Sequence, residues 1–451
     1  MTADELATRL SARLTKLWRT ETTVGGLRRL SGGASRETWV FEATPQDGEP
    51  VRLVLRRDPP AQADPATVAR EAAVLPAARA QGVPVPELVD HTLDAAVLGA
   101  PYLITAHVDG ETIPRKLLRE QRYDAVRSSL AGELGRVLAR IHRIPLADVP
   151  ELPAPDPLDW LTEHYDELGE PLPPVEIALH WLRRHRPDPA GDTVVHGDFR
   201  NGNLIVAPDG LRAVLDWELL HRGDPMEDLG WLCVKAWRFG TAQPVGGFGG
   251  REELLDGYAE VAGVRPDPGA LHWWEVYGTA KWAVVCRMQA ERHLGGRTRS
   301  VELAAVGRRV CEQEHDLLLA LGMPPERPEP EDPTPPPDLH GRPTAGELIE
   351  AVREFLAEHV VEGTDGVLAY HARVAANALG IVERELAAGA AQQRRHDRRL
   401  AALGVSGQRE FAAALRSGSL DPLGEDVLDA IRRDVADRLA VANPRYFDQP
   451  A

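Results

Sequence analysis

A chain of 451 residues with a formal charge of −17 is too long for one ordinary hydrophobic core, and its charge repels phosphate backbones and disfavours a nucleic-acid partner. No apolar run approaches the roughly 20 residues that a membrane helix needs, so no membrane role is expected. The acidic start MTADELATRLSARL argues against an export signal, and Cys233, Cys286 and Cys311 form no C-x-x-C pair, so a reducing cytoplasm is the expected setting.

In chain order, the first hundred residues read as a small α+β unit. VGGLRRL, RETWVFEA and VRLVLRR are short β-branched or alternating runs separated by turns. PATVAREAAVLPAARAQG is helical and stops at a glycine, and PYLIT is a further strand before HVDG. The stretch RLSGGASRETWVFE places Gly32, Gly33 and Ser35 in a turn between two strands. Backbone N–H groups of such a turn, with the Ser35 hydroxyl, can close over phosphates, although most Gly-Gly turns are simple hairpins. From roughly 115 to 323 helices dominate, as in DAVRSSLAGELGRVLARIH. The proline- and acid-rich PPERPEPEDPTPPPD is an extended spacer, after which Thr344 and Glu347 occupy capping-box positions at the head of a helical region. The expected division is 1–107, a nucleotide-binding lobe; 108–323, a helical lobe; 324–343, a linker; and 344–451, an all-helical domain that can dock, self-associate or bind a protein partner.

The densest chemistry lies in VVHGDFRNGNLIV, between two short apolar runs. A hairpin of NLIV and LRAVL, turned at Pro208–Gly210, brings Asp216 back beside Asn203. Those two oxygen donors suit Mg²⁺ that also holds substrate phosphates. Asp198 then sits on the loop, placed to accept a proton from an attacking hydroxyl, and Arg200 can reach the transferred phosphoryl group. Any one of these Asx residues alone more often caps a turn. Jointly, H-x-D, four residues, Asn, a strand and Asp form the template by which a kinase holds base and metal. His196 is expected to orient the loop through hydrogen bonds.

HGDFRNGN, AVLDWE and GDPMEDLGWL together resemble the aminoglycoside phosphotransferase and choline kinase branch of the protein-kinase-like fold, and most of all the phosphotransferase domains fused to some acyl-CoA dehydrogenases. The resemblance covers about 20–323 and implies a two-lobed kinase-like α+β fold, with a separate all-α domain after it that resembles a helical domain of unknown function. It implies that Asp198 is the base, that Asn203 and Asp216 are metal ligands, and that Asp228 buttresses the catalytic loop. It also implies ATP as donor, with GTP not excluded. Kinases pair a lysine on the third strand with a helix glutamate. Here Arg56 and Glu71 match those positions, and the chain's only lysines are Lys16, Lys116, Lys235 and Lys281. Arginine keeps the charge but is longer and planar.

On the acceptor side, Trp274, Tyr277 and Lys281 share a helix face, a pattern found more often in cores than in pockets. Trp217 and Glu218, next to Asp216, are expected to touch the acceptor more directly. The helix AKWAVVCRMQAERHLGGRTRS is basic and apolar. It suits a hydroxyacid or hydroxyacyl-thioester, the acceptor to which the resemblance also points, better than a polycationic aminoglycoside or an amino alcohol. The rival of another class is a binding protein that holds nucleotide or metabolite and acts through its helical C-terminal region.

Overall fold

Three leucines one turn apart begin the fold. The structure, a computed structural model, describes residues 1–30, 36–59, 63–329 and 339–450, so the turn of Gly32, Gly33 and Ser35 lies outside the described residues. Helix α1 (Ala3–Trp18) is opened by a Thr2–Glu5 capping box and buries Leu6, Leu10 and Leu14. It is unexpected from the sequence, where this stretch reads only as too acidic for export. Its leucines pack against Phe41, Leu53, Leu55, Tyr102 and Ile104 from one face of a sheet.

That sheet has strands β1 (Thr22–Arg29), β2 (Glu37–Pro45), β3 (Val51–Arg57), β4 (Leu88–Thr92) and β5 (Tyr102–Ala106) in the order β1-β2-β3-β5-β4. Every neighbouring pair is antiparallel. Because side chains alternate along a strand, committing Leu53 and Leu55 to the α1 face puts Arg56 on the other. There it meets α2 (Pro65–Ala80), which Asp64 caps and which carries the buried Glu71.

The chain then passes through a connector into a larger helical lobe. Glu111 and Val206 exchange two backbone hydrogen bonds of 2.9 and 3.0 Å, which pins the end of the connector. Gly110 (φ +156°) precedes this pair, and a Cβ there would meet Ile205 Cγ2 at 2.4 Å. The lobe contains α3 (Asp124–Ile141), α4 (Pro157–Leu168), α5 (Pro173–Arg184), α6 (Met226–Cys233), α7 (Arg251–Ala262), α8 (Pro268–Leu294) and α9 (Val310–Ala320). Two small antiparallel pairs are set into it: β6 (Thr193–Val195) with β9 (His221–Gly223), and β7 (Leu204–Ala207) with β8 (Gly210–Val214).

The C-terminal helices are α10 (Ala345–Glu354), α11 (Gly366–Ala402), α12 (Gln408–Ser417) and α13 (Glu425–Ala442), followed by a turn at Pro444–Asp448. The Thr344–Glu347 capping box is present. Leu400, Phe411, Leu415, Ile431 and Val435 share one core with Ile177 of α5 and Leu318 of α9, so these helices pack directly on the lobe before them. Arg416 adds ion pairs to Glu176 (2.7 Å) and Asp166 (2.6 Å). Among the described residues, no helix is long and apolar enough to cross a membrane.

Candidate active site

The hairpin forms as the sequence implies. Leu204 pairs with Val214, and one step beyond, the Leu215 N–H donates to the Asn203 carbonyl at 2.8 Å. Asn203 and Asp216 therefore flank the open end of β7 and β8. Asp216 adopts a left-handed backbone (φ +66°), rare for a residue with a Cβ, and its side chain stays 32% exposed. The Asn203 amide nitrogen donates to the Asp198 carboxylate at 2.6 Å and to the Asp198 carbonyl at 3.0 Å, which leaves the amide oxygen as the atom to meet a cation. Among the described residues no group of three His, Cys, Asp or Glu side chains could hold a metal. A two-oxygen donor set fits Mg²⁺, which completes its shell from phosphates and water rather than from a protein cage.

The loop from β6 to β7 is anchored from below. Asp228, fully buried in the first turn of α6, accepts the His196 N–H at 2.8 Å, the Gly197 N–H at 2.9 Å and the His142 ring at 3.1 Å. Burial alone would raise this carboxyl, but His142 and the loop amide hold it below the ordinary aspartate value. Gly197 (φ +81°) makes the turn where a Cβ would meet the Leu219 carbonyl at 2.5 Å.

His196 orients the loop, as expected. Its Nδ1 accepts the Asp198 N–H at 3.2 Å and its Nε2 faces the Leu215 carbonyl at 3.0 Å, an arrangement that requires the neutral ring with its proton on Nε2. Burial lowers its pKa from the ordinary 6.5. A depressed folded value means that the stability contributed by this ring is complete above the unfolded value, about 6.5, and is lost as pH falls below it. The expected result is a ring that is mostly neutral, with its proton on Nε2, at pH 6.5, where a free imidazole is half protonated. Ring ¹⁵N shifts read this directly, and an imidazolium pattern at that pH would contradict it.

Asp198 is not a solitary carboxylate. Besides Asn203, it accepts Arg200 Nε at 2.9 Å and the Trp231 indole N–H at 2.8 Å. Arg200 thus lies on Asp198, with its guanidinium 4.6 Å from the Trp237 ring. It is already part of a stacked assembly. Trp231 was not anticipated. Its only sequence signal is its place three residues after Asp228 on α6, one helical turn along.

On the opposite wall, Arg56 Nη1 donates to Glu71 at 3.0 Å and Nη2 to Asp216 at 2.6 Å. The expected pair to Glu71 is present, with a direct link to Asp216 in addition. Arg36, unremarked in the sequence, is 8% exposed and also pairs with Glu71, and with Asp58 at 2.6 Å. Two arginines therefore converge on one buried glutamate.

The acceptor expectation needs one correction. Trp217 does not face the cleft: it is 2% exposed, and its indole N–H points to the Val214 carbonyl at 3.3 Å. The left-handed turn at Asp216 reverses the direction of the next side chain and sends it into the core. Trp273, Trp274 and Tyr277 are buried too, in line with the core reading of that stripe. Beside Asp198 the buried Trp231 and Trp237 form a cluster with Trp282, with ring centroids 4.9 to 6.4 Å apart. Lys281 lies 5.3 Å from the Trp231 ring and 5.5 Å from the Trp160 ring and pairs with Glu227 at 2.9 Å.

The model of the phosphotransferase enzyme family matches residues 26–274, and one described only as a domain of unknown function matches 362–446. Acyl-CoA dehydrogenase family member 10 of Mus musculus is 30% identical over 200 residues, 41% of this chain and 18% of its own length. Acyl-CoA dehydrogenase family member 11 of Gallus gallus is 25% identical over 376 residues, 77% of this chain and 47% of its own. The chain thus spans less than half the length of these curated relatives. A Ralstonia eutropha crystal structure, provisionally named an aminoglycoside phosphotransferase, superposes with a TM-score of 0.56 at 23% identity and covers 70% of this chain and 98% of its own, a likeness of fold.

Proposed function

Since the chain belongs to the phosphotransferase enzyme family, whose model covers more than half of its length, we propose that it is a Mg²⁺-dependent small-molecule kinase that moves the γ-phosphoryl group of ATP to a metabolite hydroxyl. The observation that carries this reading is the convergence of Asp198, Asn203 and Asp216 at the open end of one hairpin. Residues 1–107 would hold the nucleotide and 108–323 the reacting groups.

Asp198 would accept the acceptor's proton, its carboxylate aimed by Asn203, Arg200 and Trp231. Asn203 and Asp216 would hold Mg²⁺, which supplies charge neutralisation at the phosphates when bound. Arg56, fixed by Glu71, would meet phosphate oxygens with two parallel N–H groups where other kinases offer an ammonium. Arg200, on the Trp237 face, would stand beside the transferred group. Removing Arg56 takes away charge-assisted hydrogen bonds worth roughly 1.5–3 kcal/mol. Arg56→Ala is therefore expected to weaken Mg-ATP binding by about 10- to 100-fold in calorimetric titration, while Arg36 still neutralises Glu71. Binding of wild-type strength in that variant would remove Arg56 from the nucleotide site.

The acceptor we infer is a hydroxyacid or hydroxyacyl-thioester. The wall behind Asp198 is aromatic, built from the buried Trp231 and Trp237 with Trp282 packed on them, and Arg200 and Lys281 lie against those rings. An aminoglycoside polycation would need free carboxylates there, and Glu227 of this wall is already bound to Lys281 and His221. The names of the matched relatives point to the same acyl chemistry. The deciding experiment offers Mg-ATP with hydroxyacids, hydroxyacyl-thioesters, amino alcohols and amino-sugars, and follows acceptor-dependent ADP release. Turnover with the first two classes supports the assignment, turnover with an amino-sugar replaces it, and nucleotide binding without turnover on any acceptor favours the binding protein.

A further inference from the structure

The C-terminal helices end against the wall that carries Trp237. In the turn Pro444–Asp448, the buried Tyr446 donates its hydroxyl to Asp316 of α9, and Lys235 Nζ donates to the other Asp316 oxygen at 3.1 Å. The same ammonium lies 4.2 Å from the Tyr446 ring, so tyrosine and carboxylate enclose it from two sides. Tyr446, Asp316 and Lys235 are 4%, 3% and 8% exposed, and His315 adds a contact to Asp316 at 3.0 Å. Around them Arg438 of α13 pairs with Glu314 at 3.0 Å, and Asn443 donates to Glu312 at 2.9 Å.

Lys235 opens the short helical turn Lys235–Arg238. Two residues on is Trp237, whose ring carries the Arg200 guanidinium and lies 5.2 Å from the Trp231 ring. Both Arg200 and Trp231 donate to the Asp198 carboxylate. The other end of the turn is fixed independently, with Arg238 bound to Glu275 of α8 at 2.7 Å. A buried charge held by a carboxylate and a ring locks backbone position more tightly than an apolar contact, because shifting it exposes an uncompensated ion.

We propose that the C-terminal helical region is a working part of the acceptor side: Tyr446 and Lys235 are positioning residues that, through Asp316, set the place of Trp237 and so of Arg200 and the Asp198 carboxylate. The catalytic half of this statement rests on the phosphotransfer reading, whereas the positional half does not. The consequence is a region that tunes turnover from outside the cleft without touching nucleotide.

The test uses full-length protein labelled with 5-fluorotryptophan, with the Trp237 ¹⁹F line assigned by Trp237→Phe. Tyr446→Phe and Lys235→Met are each expected to move that line while leaving Trp18 and Trp39 in place. Lys235→Arg, which keeps the charge for Asp316, is expected to return it. Arg416→Ala, which disturbs a separate contact of these helices with the lobe, at Glu176 and Asp166, should leave it unmoved. In parallel, kcat with the best acceptor of the panel is expected to fall by up to about 100-fold in Tyr446→Phe, the scale of an ångström-level misplacement, with Mg-ATP affinity unchanged. A Trp237 line that ignores both Tyr446→Phe and Lys235→Met overturns the proposal, as does one that Arg416→Ala moves equally. Should Lys235→Met fail to fold, Tyr446→Phe decides alone, since it removes a single hydroxyl. Silence of the wild type on every acceptor would end the phosphotransfer reading, while the fluorine lines still decide the positioning.

Discussion

Asp198→Ala is expected to lower kcat by ~10²–10⁴, the range lost when a positioned general base is removed, with Mg-ATP affinity nearly unchanged. The separation follows from where the carboxylate sits. It is 14% exposed and receives Asn203, Arg200 and Trp231, while Arg56, the group assigned to phosphates, contacts Glu71 and Asp216 and not Asp198. Asp198→Asn should behave similarly in rate, because an amide cannot take the acceptor's proton. It should keep the loop better ordered, because an oxygen remains for the Trp231 indole. Acceptor-dependent ADP release gives kcat and calorimetry gives nucleotide affinity. A variant that retains more than about a tenth of wild-type turnover would strip Asp198 of the role of base and leave charge placement as its only contribution.

The second large effect is on the fold. Asp228→Ala removes the acceptor of two backbone amides and the partner of His142, all enclosed where no water replaces it. Breaking a buried charged partner in this way costs about 3–5 kcal/mol. The unfolding midpoint of the full chain should drop sharply, and amide exchange should quicken first in the stretch 194–206. Asp228→Asn, which keeps one acceptor oxygen, should fall between the two. Exchange in that stretch as slow as in the wild type would show that the loop is held by its flanking strands rather than by α6.

Much of the site can be read from the sequence because its parts are local. The β7–β8 hairpin follows from two apolar runs around Pro208–Gly210, and that register alone delivers Asp216 to Asn203. Glu71 and Arg56 follow from the resemblance, as matches to the kinase pair of a third-strand lysine and a helix glutamate, fifteen residues apart. What escaped was what depends on long separations in the chain or on a change of direction. Arg36 reaches Glu71, and Trp231 reaches Asp198, across gaps that carry no periodic signature. Helix α1 was missed although Leu6, Leu10 and Leu14 repeat at helical spacing, because charged residues between them dominate a first reading. Trp217 was misplaced for another reason. Adjacency to Asp216 says how near a side chain is, and the left-handed backbone at Asp216 decides which way it turns.

The paired backbone groups of Glu111 and Val206 have a mechanical corollary. From Glu111 onward the connector is riveted to the strand that leads out of the 196–203 loop, and the Val214 N–H donates to the Pro84 carbonyl at 2.8 Å, so the two strands of one hairpin are tied to the chain on either side of β4 and β5. Just before Glu111, Gly110 has a φ of +156° and a crowded Cβ position that rule out any other side chain. The hairpin that carries Asn203 is therefore clamped from both lobes, so the spacing between it and the β4–β5 edge of the sheet is set by backbone rather than by side chains.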